Sequence, residues 1–67
     1  MSDIETLKTE VKKLSAQAMQ AKMDLHDLSE ELPVGVENVM AMAERVRDTY
    51  AALMAKKAEL KAMETAA

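Results

Sequence analysis

The sequence predicts an all-α protein, an antiparallel two-helix hairpin of coiled-coil character that pairs with a second copy into a four-helix bundle. Three observations predict it. The composition is 49% hydrophobic yet contains no Phe or Trp, one Tyr, one Gly and one Pro. Such a chain is built from Ala, Leu, Met, Glu and Lys, the strong helix formers, and lacks the β-branched, aromatic and turn-rich texture of strands. Apolar residues recur at alternating spacings of three and four in both halves, the pattern of helices that pack through a narrow stripe. The only proline and the only glycine stand two residues apart at the middle, Pro33 and Gly35, where they punctuate the chain once.

Helix 1 is expected over residues 3–32. Ser2 followed three residues later by Glu5 has capping-box spacing, in which hydroxyl and carboxylate each take an orphan amide. Ile4, Leu7, Val11, Leu14, Ala18, Ala21, Leu25, Leu28 and Leu32 then form an unbroken heptad seam, with Ile4 at position a. Ala18 and Ala21 make a narrow waist, where a facing helix approaches closely or inserts a larger residue such as Tyr50 or Leu53. Pro33 ends the helix, because it lacks an amide proton and pushes Leu32 out of the helical region.

The corner is expected at residues 33–36 and helix 2 at 37–64. Glu37 in the first turn suits the helix dipole, although no clean N-cap precedes it. The second seam reads Val39, Ala43, Val46, Tyr50, Leu53, Lys57 and Leu60, alternating four and three. It weakens toward the end, where Lys57 and Glu64 fall in register and contacts are expected to shift to Met54, Ala58 or Met63. Both helices would be about 42–45 Å long at ~1.5 Å per residue. With so short a corner they must lie side by side and antiparallel.

Residues 1–67 allow one domain. Below roughly 70–80 residues a lone core rarely supplies more than ~3–5 kcal/mol, and natural scaffolds of this size add disulfides, a metal or a partner chain. There is no cysteine, so oligomerisation is the option left, and a homodimer buries the outer side of both stripes. Formal charge is −3. The deficit lies in the first half, with no basic stripe of the kind nucleic acid requires. No apolar run approaches a membrane span and the N-terminus does not read as a signal peptide, so a cytoplasmic protein is expected.

The inventory offers no enzyme: one His, no Cys, no phosphate loop and nowhere to enclose a substrate. No cofactor is expected. The segment Asp24–Glu31 gathers four carboxylates around His26, and His26, Asp27 and Glu30 are the weak candidates for divalent-metal binding or carriage. The plainer reading is a solvated face, since His26 and Asp27 occupy outward heptad positions. Met19, Met23 and His26 form one stripe outside the seam, a candidate face for a partner protein, because methionine is soft and adaptable. The plainer reading there is that they widen the buried face or stand alone on the surface. Lys12, Lys13, Lys56, Lys57 and Lys61 make a small positive patch diluted by Glu10, Glu59 and Glu64, without aromatics for base stacking.

The run Ala21-Lys22-Met23-Asp24-Leu25-His26-Asp27-Leu28-Ser29-Glu30-Glu31-Leu32-Pro33 carries a resemblance, together with Thr49-Tyr50-Ala51-Ala52-Leu53 and Leu60-Lys61-Ala62-Met63-Glu64. Across essentially the whole chain it resembles the Rop-like family of small helical-hairpin proteins encoded in bacterial nitrogen-fixation gene clusters. The Lys-Met-Asp-Leu-His-Asp-Leu run is the more specific part; the heptads are generic. Members often carry Trp where this sequence has Val36. The resemblance implies a bacterial protein that accompanies nitrogenase assembly or operation as a dimeric four-helix bundle, with no catalytic residues; a protein of the nitrogen-fixation machinery is then the partner expected at the face of Met19, Met23 and His26.

Overall fold

A computed structural model describes residues 3–66, the side chains of Asp3 and Ala66 excepted. Two long helices account for nearly all of it: α1, Asp3–Glu31, and α2, Val39–Ala66. They pack against each other along their length as a hairpin, and among the described residues there is no strand. The capping-box serine, Ser2, lies outside the described residues.

The corner differs in detail from the expectation. Helix α1 stops at Glu31, residues 32–35 form a turn, and a 3-10 turn at Val36–Asn38 precedes α2. The Leu32-Pro33 peptide is cis. The Val34 amide donates to the Glu31 carbonyl at 3.0 Å, Val36 to Pro33 at 3.2 Å and Asn38 to Gly35 at 2.9 Å. Gly35 holds φ +79°, a left-handed conformation that L side chains rarely adopt. It stands before the 3-10 turn and supplies no side-chain acceptor to cap it, and the chain enters α2 through the tighter i→i+3 bonds of that turn. Helix 2 therefore begins two residues later than its sequence suggests, and it runs two residues further, to Ala66.

The hairpin measures 51 × 14 × 14 Å, with a radius of gyration of 15.3 Å. A compact chain of this length would have about 11 Å. The molecule is a rod, and a rod of two helices has a line for a core: Leu7, Ala18, Ala21 and Leu53 are the buried residues. Ala18 is 0% exposed and Ala21 1%, so the expected narrow waist is where the helices close most tightly. The remaining α1 seam, Ile4, Val11, Leu14, Leu25 and Leu28, is half-buried, and Leu32 at the corner is exposed.

The α2 seam needs a correction. Val39, Val46, Leu53 and Leu60 are half-buried or buried as expected, but the residues alternating with them are Met42, Thr49, Lys56 and Met63, all half-buried. Ala43 and Lys57 are exposed, and Tyr50 is half-buried beside the seam. The spacing inside the hairpin is thus three then four, not four then three. Two polar residues hide this register in the sequence. Thr49 satisfies its hydroxyl on the Arg45 and Val46 carbonyls, at 2.8 and 3.2 Å. Lys56 lays its stem on the seam and carries its ammonium out to Glu10. Taken in this register the seam does not fade, because Met63 closes it.

Candidate functional site: two unlike edges of the hairpin

Each helix lends the hairpin two edges, and the corrected register assigns residues to them. On one edge, Arg45 Nη1 donates to Asp24 Oδ2 at 2.7 Å and Lys56 Nζ meets Glu10 Oε1 at 3.2 Å. These pairs cross from α2 to α1 and mark the antiparallel register, in which the alanine waist lies opposite the stretch that holds Val46 and Tyr50. The Arg45 guanidinium, helped by the Gln20 amide, holds the Asp24 carboxyl below its ordinary value. Glu10, with Glu59 adding to it, raises Lys56. This edge is bridged.

The opposite edge carries no cross-helix ion pair among those found in the described residues. Val11, Leu25, Val46 and Leu60 line it at half-burial, and Ala43, Tyr50 and Lys57 lie along it on α2. Two shallow grooves open there. One of about 500 Å³ is lined by Lys22, Met23, Leu25, His26, Ser29 and Val46. The other, about 310 Å³, lies toward the free ends and is lined by Glu5, Lys8, Thr9, Val11, Lys12 and Leu60. The α2 residues read from the sequence as a helix-pairing seam are therefore the stripe of this open edge. Helix α2 has an apolar face wider than its one partner helix covers.

Of the sequence-derived candidates, Met23 and His26 line the first of these grooves. Met19 and Met23 are 55% and 48% exposed, so they do not widen the hairpin's buried face. His26 is exposed beside them, its Nε2 3.4 Å from Glu30 Oε2 one turn on. Asp27 and Glu31 are also exposed. Among the described residues no three His, Cys, Asp or Glu side chains come together as a metal site. The lysine patch is divided, because Lys56 is held by Glu10 and Glu59. Sequence reasoning missed the cross-helix ion pairs, which only the register reveals, and an apolar corner at which Leu32, Val34, Val36 and Met40 are all exposed. The valines flanking Gly35 were the signal for the second. No helix is long and apolar enough to cross a membrane among the described residues.

Fold and edges define a class: short antiparallel helical hairpins that carry apolar stripes. Within it, the chain belongs to the Rop-like family, whose model matches residues 2–65. A UPF0437 protein of Azorhizobium caulinodans is 48% identical over 67 residues, covering 100% of this chain and 97% of the relative. A UPF0437 protein of Trichormus variabilis is 46% identical over 61 residues, 91% of this chain and 71% of its own. A third relative, from Frankia alni, is described as a UPF0437 protein in the nifX-nifW intergenic region; it is 46% identical over 41 residues, 61% of this chain and 50% of its own. No solved structure matches.

Proposed function

We propose that this chain is a non-enzymatic accessory protein of nitrogen fixation that works as a homodimer, a four-helix bundle offering its outer faces to a protein partner. The open edge carries the reading. A stripe of Val11, Leu25, Val46, Tyr50 and Leu60 runs the length of a rod in which four of the described residues are buried. The accessible surface is 5000 Å², against about 4,200 Å² for a compact monomer of this mass. The surplus is of the order that one partner contributes to a standard interface, about 800 Å². The Frankia alni relative's place between nifX and nifW supports the process. Met19, Met23 and His26, at the rim of the open edge where Met23 and His26 line its corner-end groove, are the face proposed for the partner protein, since exposed methionines adapt to apolar surfaces.

Sedimentation equilibrium with melts at several concentrations tests the assembly. The expected result is twice the 7.4 kDa chain mass and a melting temperature that rises with concentration. A monomer with a concentration-independent melt would overturn it. For the partner face, a pull-down of nitrogen-fixation proteins should be lost in Met23→Glu combined with His26→Ala; an unchanged pull-down excludes that face.

A further inference from the structure

The hairpin leaves most apolar surface uncovered at its corner. Among the described residues seven large hydrophobic side chains are exposed, and four of them fall within residues 32–40: Leu32 at 43%, Val34 at 70%, Val36 at 57% and Met40 at 73%. Val34 and Val36 flank Gly35, and Met40 follows the seam residue Val39 on the first turn of α2. Single apolar residues on a surface need no explanation, but four gathered at one end of a rod mark a contact surface. The corner is also ordered. The Val34, Val36 and Asn38 amides donate to the Glu31, Pro33 and Gly35 carbonyls, and Gly35 lies close against Leu28. Side chains presented by such a turn lose less freedom on docking than those of a loose loop.

The same stretch carries charge of one sign. Residues 23–44 include six carboxylates, Asp24, Asp27, Glu30, Glu31, Glu37 and Glu44, and no Lys or Arg. Arg45, the next base along α2, is engaged by Asp24. Glu31 ends α1 just before the turn and Glu37 lies in the 3-10 turn, both exposed, so a carboxylate stands on each side of Val34 and Val36 along the chain. An anionic bilayer surface or a nucleic acid would set negative charge against negative. An apolar socket rimmed by lysine or arginine answers both features, since a specific protein interface has an apolar centre, a polar rim and complementary charge.

We propose that the corner is a docking tip, with Leu32, Val34, Val36 and Met40 received by a different protein in an apolar socket whose rim is basic. The proposal rests on the reading of this chain as an interaction module and adds a second contact, separate from Met19, Met23 and His26. The tip belongs to the single hairpin. A second copy laid along the open edge covers the side of the rod, while Val34 and its neighbours project at the end.

The probe is an amphipathic helical peptide of leucine and lysine, roughly five turns long, titrated into the isotope-labelled full-length protein and followed by amide chemical shifts. A leucine and glutamate peptide of the same pattern and phosphatidylcholine–phosphatidylserine vesicles are the comparisons. The expected result is shifts centred on residues 31–40 with the lysine peptide alone, and an affinity that falls as salt rises. Val34→Ser with Met40→Ser should weaken binding about tenfold or more. Glu31→Gln with Glu37→Gln should weaken it about threefold and flatten its salt dependence. All four positions are exposed, so circular dichroism should find the helices intact. Shifts centred on Val46, Tyr50 and Leu60, equal binding of the glutamate peptide, or an affinity unmoved by the serine pair would overturn the proposal. Vesicle binding would overturn it in favour of lipid, and weaker self-association of the serine pair would overturn it in favour of a second copy. A parent chain that sediments as a monomer would overturn the dimer proposed above and leave the tip standing.

Discussion

Ala18→Leu tests whether the waist is as closed as its burial indicates. Ala18 is 0% exposed on the face where α1 meets α2, and Ala21 one turn on is 1% exposed. Leucine brings three further carbons. If space stood beside the methyl group, each would gain about 0.8 kcal/mol on burial and the variant would be more stable by up to ~2 kcal/mol. With the helices in contact there is no such space, and the added carbons force them apart or drive side chains off their rotamers, at about 1–3 kcal/mol. A loss of ~2 kcal/mol corresponds to a fall in melting temperature of about 8–16 °C for a chain of this size. The matched control is Ala16→Leu, exposed two residues away on the same helix, with the same change in helix propensity; it should stay within ~0.5 kcal/mol of the parent. Far-UV circular dichroism melts at one fixed concentration measure both. A variant at Ala18 that melts with its control, or above it, would show that the waist is not packed, and the argument from small side chains to close helix approach would be wrong.

Further outcomes follow from particular residues and contacts. Leu53→Ala removes the one large buried side chain of α2, 6% exposed, and should cost about 2–5 kcal/mol, leaving a chain largely unfolded at low concentration in urea titrations. Gly35→Ala must hold φ +79° and sets its Cβ 2.9 Å from Leu28 Cδ1; a loss of about 1 kcal/mol, or ~4–8 °C by thermal melt, is expected. The Arg45 pair depresses Asp24, so its contribution is present above the ordinary carboxylate range and fades as pH falls through the lower folded value; acid titration followed by circular dichroism should lose that component in Arg45→Ala. Lys56 runs the other way. Its pKa is raised, so its contribution is present below the ordinary lysine value and lost as pH rises through the higher folded one.

Most of the fold was legible in the sequence because periodicity, composition and a single Pro-Gly punctuation all pointed to two helices of equal length. The α1 seam was legible residue by residue from Ile4 to Leu28, since every a and d position is apolar. The α2 seam was not. Its apolar stripe is three positions wide, and a reader choosing the two most apolar columns takes Ala43 and Tyr50 over Thr49 and Lys56. The hairpin chooses otherwise because Thr49 satisfies its hydroxyl on its own helix and Lys56 reaches Glu10 across the edge, so neither polar group is stranded at half-burial. The start of α2 was misjudged because a 3-10 turn, Val36–Asn38, leads into it, and so short a piece has no periodicity to set it apart from α-helix. The exposed corner escaped because valines beside glycine read as turn, whereas their exposure is a property of the tip.

The two edges now separate requirements that one seam had carried. Ala43 is exposed in the hairpin, so a charge there meets water and should cost the hairpin itself little. In a dimer closed through the open edge the same carboxylate is taken out of water against the apolar stripe of the second copy, at a desolvation cost. Ala43→Glu should therefore weaken self-association by at least about tenfold, ~1.4 kcal/mol, while the helices persist at high concentration. Ala51→Glu is the comparison, exposed on the outer face of the same helix and neutral to either arrangement. Sedimentation across a concentration series separates the two variants. Were both to remain dimers of equal affinity, the open edge would not be where the copies meet, and the bridged edge, with Arg45 and Lys56 across it, would have to be considered in its place.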